Sequence, residues 1–337
     1  MKSIRVCFVD DMSNYSSLQA LVKSRLSLYY DVVIDPKTPQ IVFGNIYGSK
    51  IGTYDAIRVL YSSEEYVPDF NLYDYAVTIF QEFSFKDRVF NLSVPLFVDR
   101  CVSALRLIET RKEFTAEDLA AKTGFCSFVQ SQLGAADPIR VEFFHKLSEY
   151  KTVDSGGRLL NNVGGPVKDK MAFEAQHKFS ISFINARTYT LQDRPLDAFA
   201  ARTLPIYWGN PDIGRFHNTK AFVNVMDYPS LDAVVQTVKE IDNDDARYIE
   251  MMNEPVFAPG IQITVESELK RFDDFLINIV EHGSIQRSGS TAICSTKAGR
   301  TTDGDGALRW RISRMRSSRL RTSCFPQNRG RRFESRL

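Results

Sequence analysis

The 337-residue chain is 43% hydrophobic and 25% charged, with a formal net charge of +2. It is long enough for two ordinary cores, and no apolar run approaches the length that crosses a bilayer. The charge is unevenly placed. Residues 301–337 hold ten Arg and no Lys against Asp303, Asp305 and Glu334, a net +7, whereas the rest carries 33 basic and 38 acidic side chains. That mildly acidic body speaks against nucleic acid as a partner.

The N-terminus, MKSIRVCFVDD, runs straight into a strand pattern and meets acids, unlike a secretory signal. Residues 4–9 read as a buried strand, 16–28 as a helix, and 32–34, 41–43, 57–61 and 75–79 as further short strands. This alternation predicts an α/β layer structure. Asp10-Asp11, after the first strand, reads as a solvated turn. Just past the strand at 75–79, Glu82 stands in IFQEFSF among Phe80, Phe83 and Phe85, where partial desolvation would raise its basicity. A solvated loop acid is the other reading. Residues 109–123 are charged and helical in tone, the expected crossover between two domains. A second set follows: a strand at 125–129, a helix at 138–147 with Arg140 in its first turn, a segment at 151–154, and a Gly156-Gly157 turn. The expected division is 1–115, 116–283 and a low-order tail at 284–337.

Residues 178–209, KFSISFINARTYTLQDRPLDAFAARTLPIYWG, are the most informative stretch. An alternating strand is followed by a polar loop, a helix entered through Pro195, and a second apolar strand, the β-α-β unit of a parallel sheet. In such sheets ligands sit at the carboxyl ends of strands, beside helix N-termini that favour anions. Arg194 at the helix start opposes the helix dipole unless an anion compensates; a plain surface arginine is the alternative, as it is for Arg140. Asp193 fits a helix N-cap as well as a ligand contact. Trp208 reads as core or cleft wall.

Residues 222–225, 231–241 and 244–252 continue the alternation, and Leu269, Phe272, Phe275, Leu276 and Ile279 recur three or four apart on a helix at 269–281. Asp242-Asn243-Asp244 fits the D-x-D pattern of a divalent-ion site, but its place between helices suits turns and caps. His145, His177, His217 and His282 are too dispersed for a metal site, so neither metal nor cofactor is expected. Cys7, Cys101, Cys126, Cys294 and Cys324 are scattered and odd in number, as in a reduced cytoplasmic protein. After Gly283 the periodicity stops, and a Ser-, Gly-, Thr- and Arg-rich tail is expected to lack order. There Leu308, Ile312 and Met315 fall at helical spacing among arginines, as in a basic amphipathic turn lying on an anionic membrane. Ten Arg with no Lys equally suits an out-of-frame reading of a GC-rich gene.

Four stretches in order carry a resemblance: YSSEEYVPDFNLYDYAV, VDSGGRLLNN, KFSISFIN with its loop and LDAFAARTLPIYWGNPDI, and DNDDARYIEMMNEPVF. Together they are similar to the α1,3/α1,4-fucosyltransferases of glycosyltransferase family 10, over residues 4–281. The resemblance implies two Rossmann-like domains facing a cleft, the GT-B type. It also implies inverting transfer of fucose from GDP-fucose to an N-acetylglucosamine-containing glycan, of the Lewis type that bacteria add to lipopolysaccharide O-antigen. Glu82 then occupies the position of the catalytic base, with Gln81 where the family has a further acid. Arg140 and Arg194 hold the diphosphate, Asn185 and Tyr189 the nucleoside, and Asp193 the sugar hydroxyls. The chain departs from the family at Ile184, where Glu is usual, at Gln192-Asp193-Arg194, where Thr-Glu-Lys is usual, and in a loop one residue shorter. A nucleotide- or glycan-binding relative without turnover, or a sister enzyme with another donor sugar, are the alternatives.

Overall fold

The computed structural model describes residues 1–10, 16–62, 66–81, 84–93, 96, 98–131, 136–185, 193–286, 298–302 and 308–312. The first part holds β1 (Ser3–Phe8), α1 (Ser16–Leu26), β2 (Asp31–Ile34), β3 (Ile41–Asn45), β4 (Ile57–Ser62), β5 (Tyr75–Thr78) and β6 (Val89–Asn91). Then α2 (Asp99–Glu109) and α3 (Ala116–Ala120) lead to β7 (Gly124–Phe128), α4 (Ile139–Ser148), β8 (Val153–Ser155) and α5 (Lys170–Ala175). After them come β9 (His177–Phe183), α6 (Asp193–Ala200), β10 (Leu204–Trp208) and β11 (Val223–Asn224). The chain continues through α7 (Leu231–Asp242), α8 (Asp245–Asn253) and α9 (Val265–His282) to β12 (Ala298–Thr302) and β13 (Leu308–Ile312). Met1–Ser290 form one compact unit and Thr291–Leu337 another.

The larger unit is built on two wholly parallel sheets, ordered β2-β1-β3-β4-β5-β6 and β11-β10-β9-β7-β8. Strands of such sheets are covered on both faces, which is why β3, β5 and β10 are buried at every position. In each sheet the chain steps to one side of its first strand and then returns to the other. The switch points therefore fall between β1 and β3, and between β7 and β9. This is the doubly wound α/β architecture that the alternation of elements predicts.

Three elements depart from the sequence reading. The crossover helix is α2: Cys101, Ala104, Leu105 and Ile108 give it an apolar stripe at helical spacing, and within 109–123 only Glu109, at its end, and the five residues of α3 are helical. Next, α9 lies in the span 116–283, yet its Phe272, Phe275, Leu276 and Ile279 are buried in the first sheet's core with Val6, Tyr75 and Phe90. Burying each such side chain contributes about 1.5–3 kcal/mol. Arg25 of α1 clamps Asp273 of α9 through two hydrogen bonds, at 2.7 and 2.5 Å, so charge reinforces the docking. The segment after α9 is also tied down, with the Gln286 amide nitrogen donating to Asp74 at 2.7 Å.

The third departure is in the smaller unit. There β12 and β13 pair antiparallel from Ala298 with Ile312 to Thr302 with Leu308, so Leu308 and Ile312 stand in a strand and not in a helical turn. Met315 and the remaining tail arginines lie outside the described residues. Among the described residues no helix is long and apolar enough to cross a membrane.

Candidate active site

The second sheet's switch point gathers polar groups. Gln130 follows β7 and Asn185 follows β9, both at carboxyl ends. Gln130 is 2% exposed; its side-chain amide donates from Nε2 to the Phe183 carbonyl at 3.1 Å. The helices after these strands begin close by. Arg140 is the second residue of α4 and Arg194 the second of α6. At the entry to α4, the Asp137 amide donates to the Asn185 carbonyl at 2.8 Å.

Asn185 joins the two cations. Its Oδ1 accepts from Arg140 Nη2 at 3.1 Å and from Arg194 Nη2 at 3.4 Å. Arg140 Nη1 donates to Gln130 Oε1 at 2.6 Å, and its Nε has no acceptor among the described residues. Neutral amide oxygens thus hold a guanidinium that is 1% exposed. Burial, and after it the charge of Arg194, pushes the Arg140 pKa down to about 10, with Asp137 opposing. At neutral pH Arg140 remains charged. Two cations and two helix N-termini converging at a strand switch point make a site for a strongly charged anion such as a diphosphate.

The Gly-Gly turn supports this corner. A Cβ on Gly157 would stand 1.9 Å from the Gln130 carbonyl oxygen, so only glycine allows this approach. The Asn pair after it is structural: Asn162 accepts from the Ser155 amide at 2.7 Å, and Asn161 donates to the Ser155 and Gly157 carbonyls. Three residues after Arg194, Asp197 is fully buried on α6, paired with Arg100 of α2 and, at 2.7 Å, with Lys170. It had no signal in the sequence beyond a place in LDAFAAR.

Of the residues singled out in the sequence, Arg140, Asn185 and Arg194 come together. Asp193 is the first residue of α6, and its side chain lies outside the described residues, as do Glu82 and Tyr189 entirely. Gln81 is described. Its amide donates to the Leu92 and Ile79 carbonyls at 2.8 and 3.2 Å, at the carboxyl end of β5. Ile184 is wholly buried, and a Cβ on Gly209 would lie 2.1 Å from its Cγ1. Trp208 joins the core, 7% exposed, with its ring 6.2 Å from that of Phe183.

Asp10, Asp242 and Asp244 have structural duties, and Asp11 lies outside the described residues. Asp10 is 5% exposed, not solvated: its carboxylate accepts from the Lys50 and Ile51 amides at 2.6 and 2.8 Å. Asp242 pairs with Lys151 at 2.5 Å and Lys178 at 2.8 Å, and Asp244 caps α8. Burial works against the Asp242 charge, but the two ammonium groups hold its pKa below the ordinary value. Among the described residues no cluster of three His, Cys, Asp or Glu could hold a metal. His177 is tied to Asp154, and burial pushes the pKa of His217, stacked between Phe199 and Phe257, down to about 4.

Two doubly wound parallel sheets, with two arginines meeting at the switch point of the second, form an architecture that many nucleotide-binding enzymes share. Family comparison makes this specific. Residues 6–98 match the Alpha-(1,3)-fucosyltransferase FucT N-terminal domain, and residues 119–253 match the Glycosyltransferase family 10 (fucosyltransferase) C-terminal region. The chain belongs to glycosyltransferase family 10. It is 34% identical over 247 residues to Alpha-(1,3)-fucosyltransferase FucT of Helicobacter pylori, covering 64% of this chain and 51% of that one. The chain thus spans about half the length of that curated relative. The crystal structure of an alpha1,3-fucosyltransferase superposes with a TM-score of 0.71 at 27% identity, covering 85% of this chain and 92% of that one. The structure of alpha1,3-fucosyltransferase with GDP-fucose gives 0.65 at 27% identity, over 82% and 90%.

Proposed function

We propose that the protein transfers fucose from GDP-fucose to a hydroxyl of an N-acetylglucosamine-containing glycan, with inversion at the anomeric carbon. The observation that carries this reading is the meeting of Arg140 and Arg194 on Asn185 at the β7–β9 switch point. A leaving diphosphate needs positive charge already in place, and preorganised donors at that point supply it without reorganisation. Glu82 takes the proton from the acceptor oxygen, that oxygen attacks the anomeric carbon, and the bond to the β-phosphate breaks as GDP departs. Asp193 and Tyr189 hold the fucosyl hydroxyls and the guanosine. The acceptor is read as a Lewis-type glycan of lipopolysaccharide O-antigen, built on a lipid at the cytoplasmic face of the inner membrane. The basic tail there meets anionic lipid.

The test is GDP release from GDP-fucose with and without N-acetyllactosamine: acceptor-dependent release supports the reading, and its absence overturns it. A second reading is favoured by Ile184, wholly buried where the family usually has Glu. This is a nucleotide- or glycan-binding relative, and GDP binding without release supports it.

Activity should survive ethylenediaminetetraacetate, because the cations needed at the diphosphate are arginines and Asp242 is already engaged by Lys151 and Lys178. Turnover lost to the chelator and restored by manganese would return Asp242 and Asp244 to the site.

A further inference from the structure

Arg140 is held from two sides by amide oxygens, and one of them belongs to a residue that no pattern in the sequence marks. Gln130 places Oε1 2.6 Å from Arg140 Nη1, and its Nε2 is fixed on the Phe183 carbonyl at 3.1 Å. The second bond prevents the amide from turning over: with Nε2 committed to a carbonyl, the oxygen must face the guanidinium. The backbone beneath is equally constrained. The Leu159 amide donates to the Gln130 carbonyl at 2.9 Å, and Gly157 packs against it at a distance that no side chain permits. At 2% exposure Gln130 has no access to solvent that would let it relax.

We propose that Gln130 is a positioning residue that aims the Arg140 guanidinium into the donor diphosphate site while leaving its charge uncompensated. A carboxylate in that place would hold Arg140 at least as firmly, but would cancel the charge that the diphosphate is to meet. A neutral acceptor gives orientation without neutralisation. No Asp or Glu makes a hydrogen bond or ion pair with Arg140 among the described residues. Asp137 acts on it only through space. The inference rests on the GDP-fucose reading of this corner.

The experiment measures GDP affinity by calorimetry, and thermal midpoints, for wild type, Gln130→Glu and Gln130→Met. Gln130→Glu keeps an acceptor for Nη1 and adds a charge, so GDP binding should weaken at least tenfold, although its midpoint falls no further than that of Gln130→Met, which loses the same bond to the Phe183 carbonyl. Gln130→Met removes the acceptor at similar volume and should weaken GDP binding only a few-fold, with KM for GDP-fucose rising in step. A merely structural role would make affinity follow the midpoint in both variants. Gln130→Glu that folds and binds GDP within twofold of wild type overturns the inference, as does Gln130→Met that binds as weakly as Gln130→Glu. If Gln130→Glu does not fold, the double-mutant cycle of Gln130→Met with Arg140→Met decides: strong coupling in GDP affinity supports positioning, and additivity overturns it. Wild type that binds no GDP overturns the reading of the corner and this inference together, which separates the two failures.

Discussion

Replacing Arg140 by methionine should lower kcat/KM for GDP-fucose by about 10²–10³, the usual loss when one preorganised donor to a developing negative charge is removed. GDP affinity should fall by about 10- to 100-fold, since a hydrogen bond to a charged group is worth roughly 1.5–3 kcal/mol. The variant should also be less stable. Without the guanidinium, Gln130 Oε1 loses its donor and Asn185 Oδ1 one of its two donors, in a region almost closed to water. A buried acceptor left unsatisfied costs about 1–3 kcal/mol. Arg140→Lys separates charge from geometry: it retains the cation but cannot reach both amides, so its affinity should lie between methionine and arginine. Calorimetry with GDP, initial rates and thermal midpoints test this. GDP binding within twofold of wild type in Arg140→Met would reduce Arg140 to a packing residue.

The unit from β9 through α6 to β10 could be read from the sequence because each part has a local signal. The strand alternates, Pro195 marks the first helical turn, and Gly209-Asn210-Pro211 ends the next strand. The helix α2 lacked such punctuation. Its stripe of Cys101, Ala104, Leu105 and Ile108 is made of small or mixed residues, whereas the charge-rich residues 109–113 have a helical composition of their own. The return of α9 to the first sheet could not be read either. Its periodicity fixes which face is buried but not against what, and the partner is settled only by the three-dimensional fit of Phe272 and Phe275 against Phe90.

Arg140, Asn185 and Arg194 are legible in the sequence as candidates because a family resemblance points to them. Their mutual geometry is not, since an asparagine between two arginines needs three separate segments to meet. Gln130 and Asp197 had no signal at all. A glutamine after a strand and an aspartate in a helix are ordinary until their partners are known. Asp242 shows the opposite case: a D-x-D pattern is cheap in sequence, and here one aspartate is ion-paired with two lysines while the other caps a helix.

Glu82→Gln should lower kcat by about 10²–10⁴, the range that a positioned general base contributes, while leaving GDP affinity within a few-fold. The amide keeps the size and some hydrogen-bonding capacity of the carboxylate but cannot accept the acceptor's proton. The loss should therefore fall on the chemical step and not on ground-state binding. Glu82 itself lies outside the described residues, but its neighbour is fixed: Gln81 is held by the Leu92 and Ile79 carbonyls at the end of β5, on the first sheet. Gln81 follows β5 of the first sheet, whereas Arg140 and Arg194 stand at the second, an arrangement that suits the proposed direct displacement. The acceptor oxygen must approach the anomeric carbon from the side opposite the departing GDP. Single-turnover rates with N-acetyllactosamine, together with GDP calorimetry, distinguish the outcomes. A variant with near-normal turnover makes Glu82 a loop acid and moves the base elsewhere. A variant that loses GDP binding in proportion to its rate makes Glu82 part of the donor site instead.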